Sequence, residues 1–380
     1  MSDFAARLLA WFDLHGRHDL PWQHPRTPYR VWVAEVMLQQ TRVRTAIGYF
    51  DAFLTRFPEP AVLAAAPLDA VLAVWSGLGY YARARNLHRA AQIVVRDHGG
   101  ELPERIESLA RLPGVGRSTA GAILAQAHGQ RHPILDGNAR RVLARHAAVA
   151  GDPAAPAVQR RLWELSAERL PQARLADYTQ ALMDLGAGVC IRARPSCAGC
   201  PLRDDCLALA QERVHELPTP RTPRSRPLRR TAMLLARDAT GRVLLQRRPP
   251  TGVWPDLWSL PEGADIAALA GAVPVVLDRC ARTRIRHQFT HFTLEIDVHR
   301  ACAVAGVEPV GDADSRWFTP DAARALGLPQ PVRRLLDEVH GHGAQADRPQ
   351  IDGHGGQGHR LPCAAQNHMV RRFAQPETGT

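Results

Sequence analysis

The sequence predicts two domains of different class, an all-helical domain over residues 1–212 and a smaller α+β domain over residues 231–340. Three observations carry this. The chain has 380 residues, more than one core usually holds. Up to residue 212, apolar residues recur at intervals of three and four, in runs broken by Pro and Gly. Past residue 230 the period shortens to two in several places, and between the two patterns residues 213–230 hold four Pro and six Arg. That composition reads as an extended basic linker.

The elements follow in order. Helical spacing covers residues 4–14, 29–49, 68–75, 81–98, 118–127, 139–148 and 157–170. In the second domain, residues 231–237 and 242–246 flank Asp238-Ala-Thr-Gly241 as the arms of a hairpin. Residues 292–298 alternate as a further strand, and short helices are expected at 266–270 and 331–340. From Gly341 the chain is rich in Gly, His and Gln without periodicity, so residues 341–380 are expected to be a disordered tail.

The net charge is +11, and its distribution is uneven. Residues 1–212 hold 25 Arg against 20 acids, residues 213–230 six against one, and the remainder 17 against 16. A polyanionic partner such as nucleic acid fits this surplus, and so does an ordinary basic protein. There is no lysine; all 48 basic residues are Arg. Arg stays protonated and forms no Schiff base, so side-chain amine catalysis is excluded. No run of 18 apolar residues would span a membrane, and Met1–Ala10 carries Asp3 and Arg7 in place of a secretion signal. A cytoplasmic location is therefore expected.

Four of the seven cysteines, Cys190, Cys197, Cys200 and Cys206, fall within 17 residues, while Cys280, Cys302 and Cys363 are scattered. A metal site fits this pattern better than a disulfide scaffold. Four thiolates in one short loop can hold a [4Fe–4S] cluster or a zinc ion. Arg192 and Arg194 inside the loop would present positive charge to a nucleic-acid backbone.

Three further motifs carry chemistry. In Leu112-Pro-Gly-Val-Gly-Arg-Ser-Thr119, Gly114 and Gly116 allow a tight turn and let backbone N–H groups approach an anion at a helix N-terminus. This pattern fits a helix-hairpin-helix grip on a phosphate without sequence readout. In Ile134-Leu-Asp-Gly-Asn-Ala-Arg-Arg141, Asp136 lies where an apolar run meets a new helix, where it can cap that helix or serve a site. Glu35 is the only acid in the apolar stretch Val31–Thr41. Burial there would favour its protonated form and suit it to general-acid work; a surface or paired Glu is the alternative.

Together these features resemble the helix-hairpin-helix DNA glycosylases with an iron–sulfur cluster, and most closely the MutY-type adenine glycosylases. The matching motifs are EVMLQQT at 35–41, GLGYYARARNLH at 77–88, LPGVGRSTAGAIL at 112–124 and LDGN at 135–138. The resemblance extends to the cysteine loop and the second domain, from residue 4 to about 337. It implies a [4Fe–4S] cluster on the four cysteines and duplex DNA with adenine opposite 8-oxoguanine or guanine as substrate. It implies Glu35 as the acid that protonates adenine, Asp136 as the carboxylate facing the sugar cation, and Asn138 as an orienting group. Gln40 and Tyr80 would wedge the opened stack, with Gly114, Gly116 and Ser118 at the DNA backbone.

Lyase relatives place a Lys where this chain has Ser118, so hydrolysis without strand cleavage is implied. The second domain would be Nudix-like and would read 8-oxoguanine through Phe289-Thr290-His291. The family commonly has Phe-Ser-His there, and Thr290 keeps the hydroxyl while adding a methyl group. A nucleotide-hydrolysing Nudix enzyme needs an acid-rich helix, and residues 262–278 supply only Glu262, Asp265 and Asp278. One lesion wrapped by two domains is compatible with a monomer.

Overall fold

The computed structural model describes residues 3–220, 225–304 and 314–339; the tail expected at 341–380 lies outside them. Residue contacts divide the chain into two compact units. One comprises Met1–Val71 with Tyr80–Pro223, the other Leu72–Gly79 with Arg224–Thr380. Among the described residues no helix is long and apolar enough to cross a membrane.

The helical part runs α1 (Asp3–His15), α2 (Pro28–Leu38), α3 (Val43–Arg56), α4 (Pro60–Ala65), α5 (Leu68–Val74) and α6 (Ala82–His98). It continues with α7 (Ile106–Leu109), α8 (Arg117–His128), α9 (Gly137–His146), α10 (Pro156–Glu168), α11 (Leu175–Gly188) and α12 (Leu207–Ala210). One expected helix, 29–49, is two. Gln40 takes a left-handed conformation, φ 61°, and the chain re-enters a helix at Val43. The α11 helix was not picked out from the sequence. It is buried on several sides, including Tyr178, Ala181, Leu182, Asp184 and Leu185, so it shows no clean apolar stripe. With Leu8 and Phe12 of α1, Leu143 of α9 and Leu162 of α10 it forms the main core of this unit.

The segment expected to be a linker is partly folded. Val214 and Leu217 pack on Ala208, and the Arg145 guanidinium donates to the Leu217 carbonyl at 2.8 Å. Leu228 already belongs to the first strand of the next unit.

The second unit contains β1 (Leu228–Arg237), β2 (Val243–Arg247), β3 (Trp258–Ser259), β4 (Glu262–Gly263), α13 (Ile266–Ala272), β5 (Val275–Gln288), β6 (Thr293–Ala303), β7 (Ser315–Phe318), α14 (Pro320–Arg324) and α15 (Gln330–Val339). The sheet order is β3-β2-β1-β6-β5, with β4 paired to β1 and β7 to β2. The β1–β6 pair is parallel and β5–β6 antiparallel. The expected hairpin and helices are present. The long strand β5 was missed because Arg occupies its exposed positions and supplies no apolar signal. Arg282 and Arg284 pair with Asp297 across the strands at 2.6 and 3.0 Å, and Arg286 pairs with Glu295 at 3.0 Å. Cys302 on β6 is disulfide-bonded, which the scattered cysteines had not foretold. Ser76, from the Leu72–Gly79 segment of this unit, accepts from Arg333 at 2.8 Å.

Candidate active site and nucleic-acid interface

Glu35 sits in α2 because Thr27 and Pro28 start that helix early enough to place it mid-span. The Thr27 hydroxyl caps the Arg30 N–H at 3.3 Å, and Pro28 occupies the first turn, where a missing N–H costs nothing. Its neighbours Val33, Ala34, Val36 and Met37 are buried, while Glu35 keeps a partial opening to solvent. The Gln126 amide of α8 donates to Glu35 Oε1 at 2.8 Å. Burial pushes the Glu35 carboxyl up to about 7. The Gln126 hydrogen bond pulls it down, and the Asp136 carboxylate pushes it up.

Asp136 is the N-cap of α9, its Oδ1 accepting the Ala139 N–H at 2.7 Å. The segment before it is held by Ser118, whose hydroxyl accepts the Leu135 N–H at 2.9 Å. The Asn138 Oδ1 accepts from Arg141 at 2.8 Å, and Arg141 also donates to the Gly186 and Cys190 carbonyls. Gly186 of α11 crosses so close that a Cβ there would lie 2.5 Å from the Asn138 Cβ.

In the hairpin, the two glycines differ. Gly114 has φ +79°, and a Cβ there would meet the Asn86 Cβ at 2.9 Å. Gly116 caps α8 in extended backbone at φ −91°, with open space where its Cβ would be. The tight turn therefore needs Gly114, whereas no described atom of the protein requires a glycine at Gly116. Gln40 and Tyr80 both adopt positive φ, 61° and 50°, and Tyr80 is 52% exposed. Such conformations cost about 1–3 kcal/mol each and persist where surroundings enforce them. Arg83 is part of that enforcement. It is 7% exposed and donates to the Val36, Met37 and Gln39 carbonyls at 3.2, 2.6 and 2.5 Å. Its guanidinium also lies 5.6 Å from the Tyr80 ring centroid.

Comparison with known proteins gives this geometry a family. Residues 33–168 match the HhH-GPD superfamily base excision DNA repair protein, and residues 232–338 match the NUDIX domain. The chain is 32% identical to the adenine DNA glycosylase of Buchnera aphidicola subsp. Acyrthosiphon pisum, over 88% of this chain and 97% of that protein. It is also 32% identical to the adenine DNA glycosylase of Homo sapiens, over 90% of this chain and 74% of that one. The chain belongs to the adenine DNA glycosylase family.

It is accordingly a DNA N-glycosylase of base excision repair, with a helical HhH-GPD domain followed by a Nudix-like domain. The fold of the helical part is also that of a thermostable thymine-DNA glycosylase, with TM-score 0.51 and 27% identity over 55% of this chain and 95% of that one.

Glycosylases of this helix-hairpin-helix type generally carry an iron–sulfur cluster. Cys190, Cys197, Cys200 and Cys206 are all free thiols lining one cavity, walled also by Val189, Pro195 and Leu209. Burial and the other three thiols push Cys200 up to about 11. Four thiols gathered in one loop are the donor set of a [4Fe–4S] cluster, so these residues fit that group.

In the adenine glycosylase's second unit, Phe289–Phe292 forms the tip between β5 and β6, closed by the Phe289 N–H donating to the Phe292 carbonyl at 2.9 Å. Thr290 and His291 are exposed. Phe289 instead stacks on Phe292 at 4.4 Å and touches Trp254 and His287 at 5.2 and 4.7 Å. Two of the three acids of residues 262–278 are committed elsewhere: Asp265 caps α13, and Glu262 pairs with Arg248.

Gln126 and Arg83 were missed from the sequence. A lone Gln in the apolar run Ala120–Ala127 and an Arg spaced one residue before Ala84 were the available signals.

Proposed function

We propose that this glycosylase hydrolyses the N-glycosidic bond of adenine opposite 8-oxoguanine or guanine in duplex DNA, without cutting the strand. The observation that carries the reading is the Glu35 carboxyl, set among buried apolar residues of α2, bonded to the Gln126 amide at 2.8 Å and pushed up to about 7 by burial. An acid that can hold its proton and a second carboxyl group suit cleavage through a sugar cation. Adenine leaves the stack at a cost of about a few kcal/mol, with Gln40 and Tyr80 filling the space. Glu35 gives its proton to adenine N7, the C–N bond breaks, and Asp136 stabilises the oxocarbenium ion, directly or through an adduct. Asn138 orients this assembly. Water adds to the sugar cation and its released proton returns to the Glu35 carboxylate, leaving free adenine and an abasic site. With Ser118 in the hairpin and no lysine in the chain, no side-chain amine opens the strand.

The backbone at Gly114, Gly116 and Ser118 grips a DNA phosphate. Cys190, Cys197, Cys200 and Cys206 hold a [4Fe–4S] cluster that shapes their loop for DNA. Phe289 braces the β5–β6 tip, and Thr290 and His291 read the oxidised base. Residues 1–212 form the excision module, 213–230 the connection and 231–340 the reader, acting as a monomer.

The test is Glu35→Gln, which keeps shape and removes the proton. Single-turnover excision should fall by about 10²–10⁴-fold while duplex binding stays within about threefold of wild type. Excision at the wild-type rate rejects Glu35 as the acid.

A further inference from the structure

We propose that Gln126 is a positioning residue for this reaction, selecting which oxygen of Glu35 carries the transferred proton. The inference rests on the reading of Glu35 as the acid. Gln126 lies on α8 among buried Ala122, Ile123, Leu124 and Ala125, and is itself 4% exposed. A primary amide costs free energy in such an apolar setting unless its hydrogen bonds are made. Here its N–H reaches one acceptor 91 positions away in sequence, Glu35 Oε1, at 2.8 Å. An amide N–H can only donate, so Oε1 must accept, and the proton of the neutral carboxyl resides on Oε2. The same bond fixes the side-chain torsions, so the acid meets the base in one orientation.

The charged groups around Glu35 are few. Asp136, at the start of α9, acts on it directly. From α6, the Arg83 guanidinium is taken up by the carbonyls of Val36 and Met37, to which it donates at 3.2 and 2.6 Å. Among the described residues, the Gln126 amide is the polar contact that favours the ionised form. The sign follows. Excision needs the protonated acid, so its rate falls as pH rises through the Glu35 pKa. Removing the donor raises that pKa and moves the falling limb to higher pH, while loss of orientation lowers the plateau.

The experiment measures single-turnover adenine release between pH 5.5 and 9, on one duplex with adenine opposite 8-oxoguanine. It compares wild type, Gln126→Met and Glu35→Gln, all as full chains. Gln126→Met is near-isosteric and a good helix former. Its plateau should fall about tenfold and its falling limb shift upward by about 0.5–1 pH unit. A general packing defect would lower the rate without moving the limb. If the scaled Gln126→Met profile superposes on wild type while Glu35→Gln is inactive, the role of Gln126 is refuted alone. If Glu35→Gln is active, or wild type shows no falling limb, the acid reading fails and the proposal with it. Should Gln126→Met not fold, Gln126→Asn withdraws the donor by one methylene and must give the same shift.

Discussion

Asp136 carries two readings on one side chain, a helix cap and a catalytic carboxylate, and a single substitution separates them. Its Oδ1 holds the Ala139 N–H, a bond an Asn side chain makes as well. Asp136→Asn should therefore keep stability within about 0.5 kcal/mol in urea denaturation. Excision should fall by about 10²-fold or more, because a neutral amide does not stabilise a developing sugar cation. Retained excision would leave Asp136 as a cap only. At this scale the sequence was informative where chemistry breaks a pattern. Glu35 was legible as the lone acid of an apolar stretch, and Asp136 as an acid between a hydrophobic run and a helix. Gln126 was not, because its meaning depends on a contact with α2 that no local period reveals. The contact between the Asn138 oxygen and Arg141, three residues on, was likewise not singled out by spacing alone.

At the scale of elements, the hairpin offers a contrast between two glycines one residue apart. Gly114→Ala puts a Cβ into Asn86 in a backbone region L residues resist, so it should destabilise the fold by about 1–3 kcal/mol. Gly116→Ala meets nothing inside the protein and should leave the melting temperature nearly unchanged, while weakening duplex affinity in a filter-binding titration. Equal effects of both on stability would contradict the division of labour. The motif was read from spacing, which treats the two glycines alike; only the backbone angles distinguish them. The α2–α3 break was illegible for a related reason. The polar run Gln39–Arg42 interrupts the apolar residues of 29–49 without a Pro or Gly to mark a stop, and what ends the first helix is the left-handed turn at Gln40 together with the Arg83 guanidinium gathering three carbonyls at its end. The α11 helix and β5 strand were hidden from opposite sides, one too uniformly buried for a stripe and the other carrying Arg at its exposed positions.

At the scale of the whole molecule, the chain joins a helical unit holding the paired carboxyl groups to a sheet unit holding an exposed Thr290-His291 tip. The shift from helical to alternating periodicity made that division legible. The assignment of Leu72–Gly79 to the second unit was not, because it depends on contacts such as Ser76 with Arg333, 257 positions apart. The central claim concerns what the assembled chain does to DNA, namely adenine removal by hydrolysis with no strand cleavage. It is tested most directly on one denaturing gel. Two end-labelled duplexes, with adenine opposite 8-oxoguanine and opposite guanine, are incubated with the full chain and then split into samples with and without hot alkali. Cleavage at the adenine position only after alkali, in both duplexes and faster opposite 8-oxoguanine, is the expected result. A nick at that position without alkali, or an intact adenine strand after alkali, would contradict it.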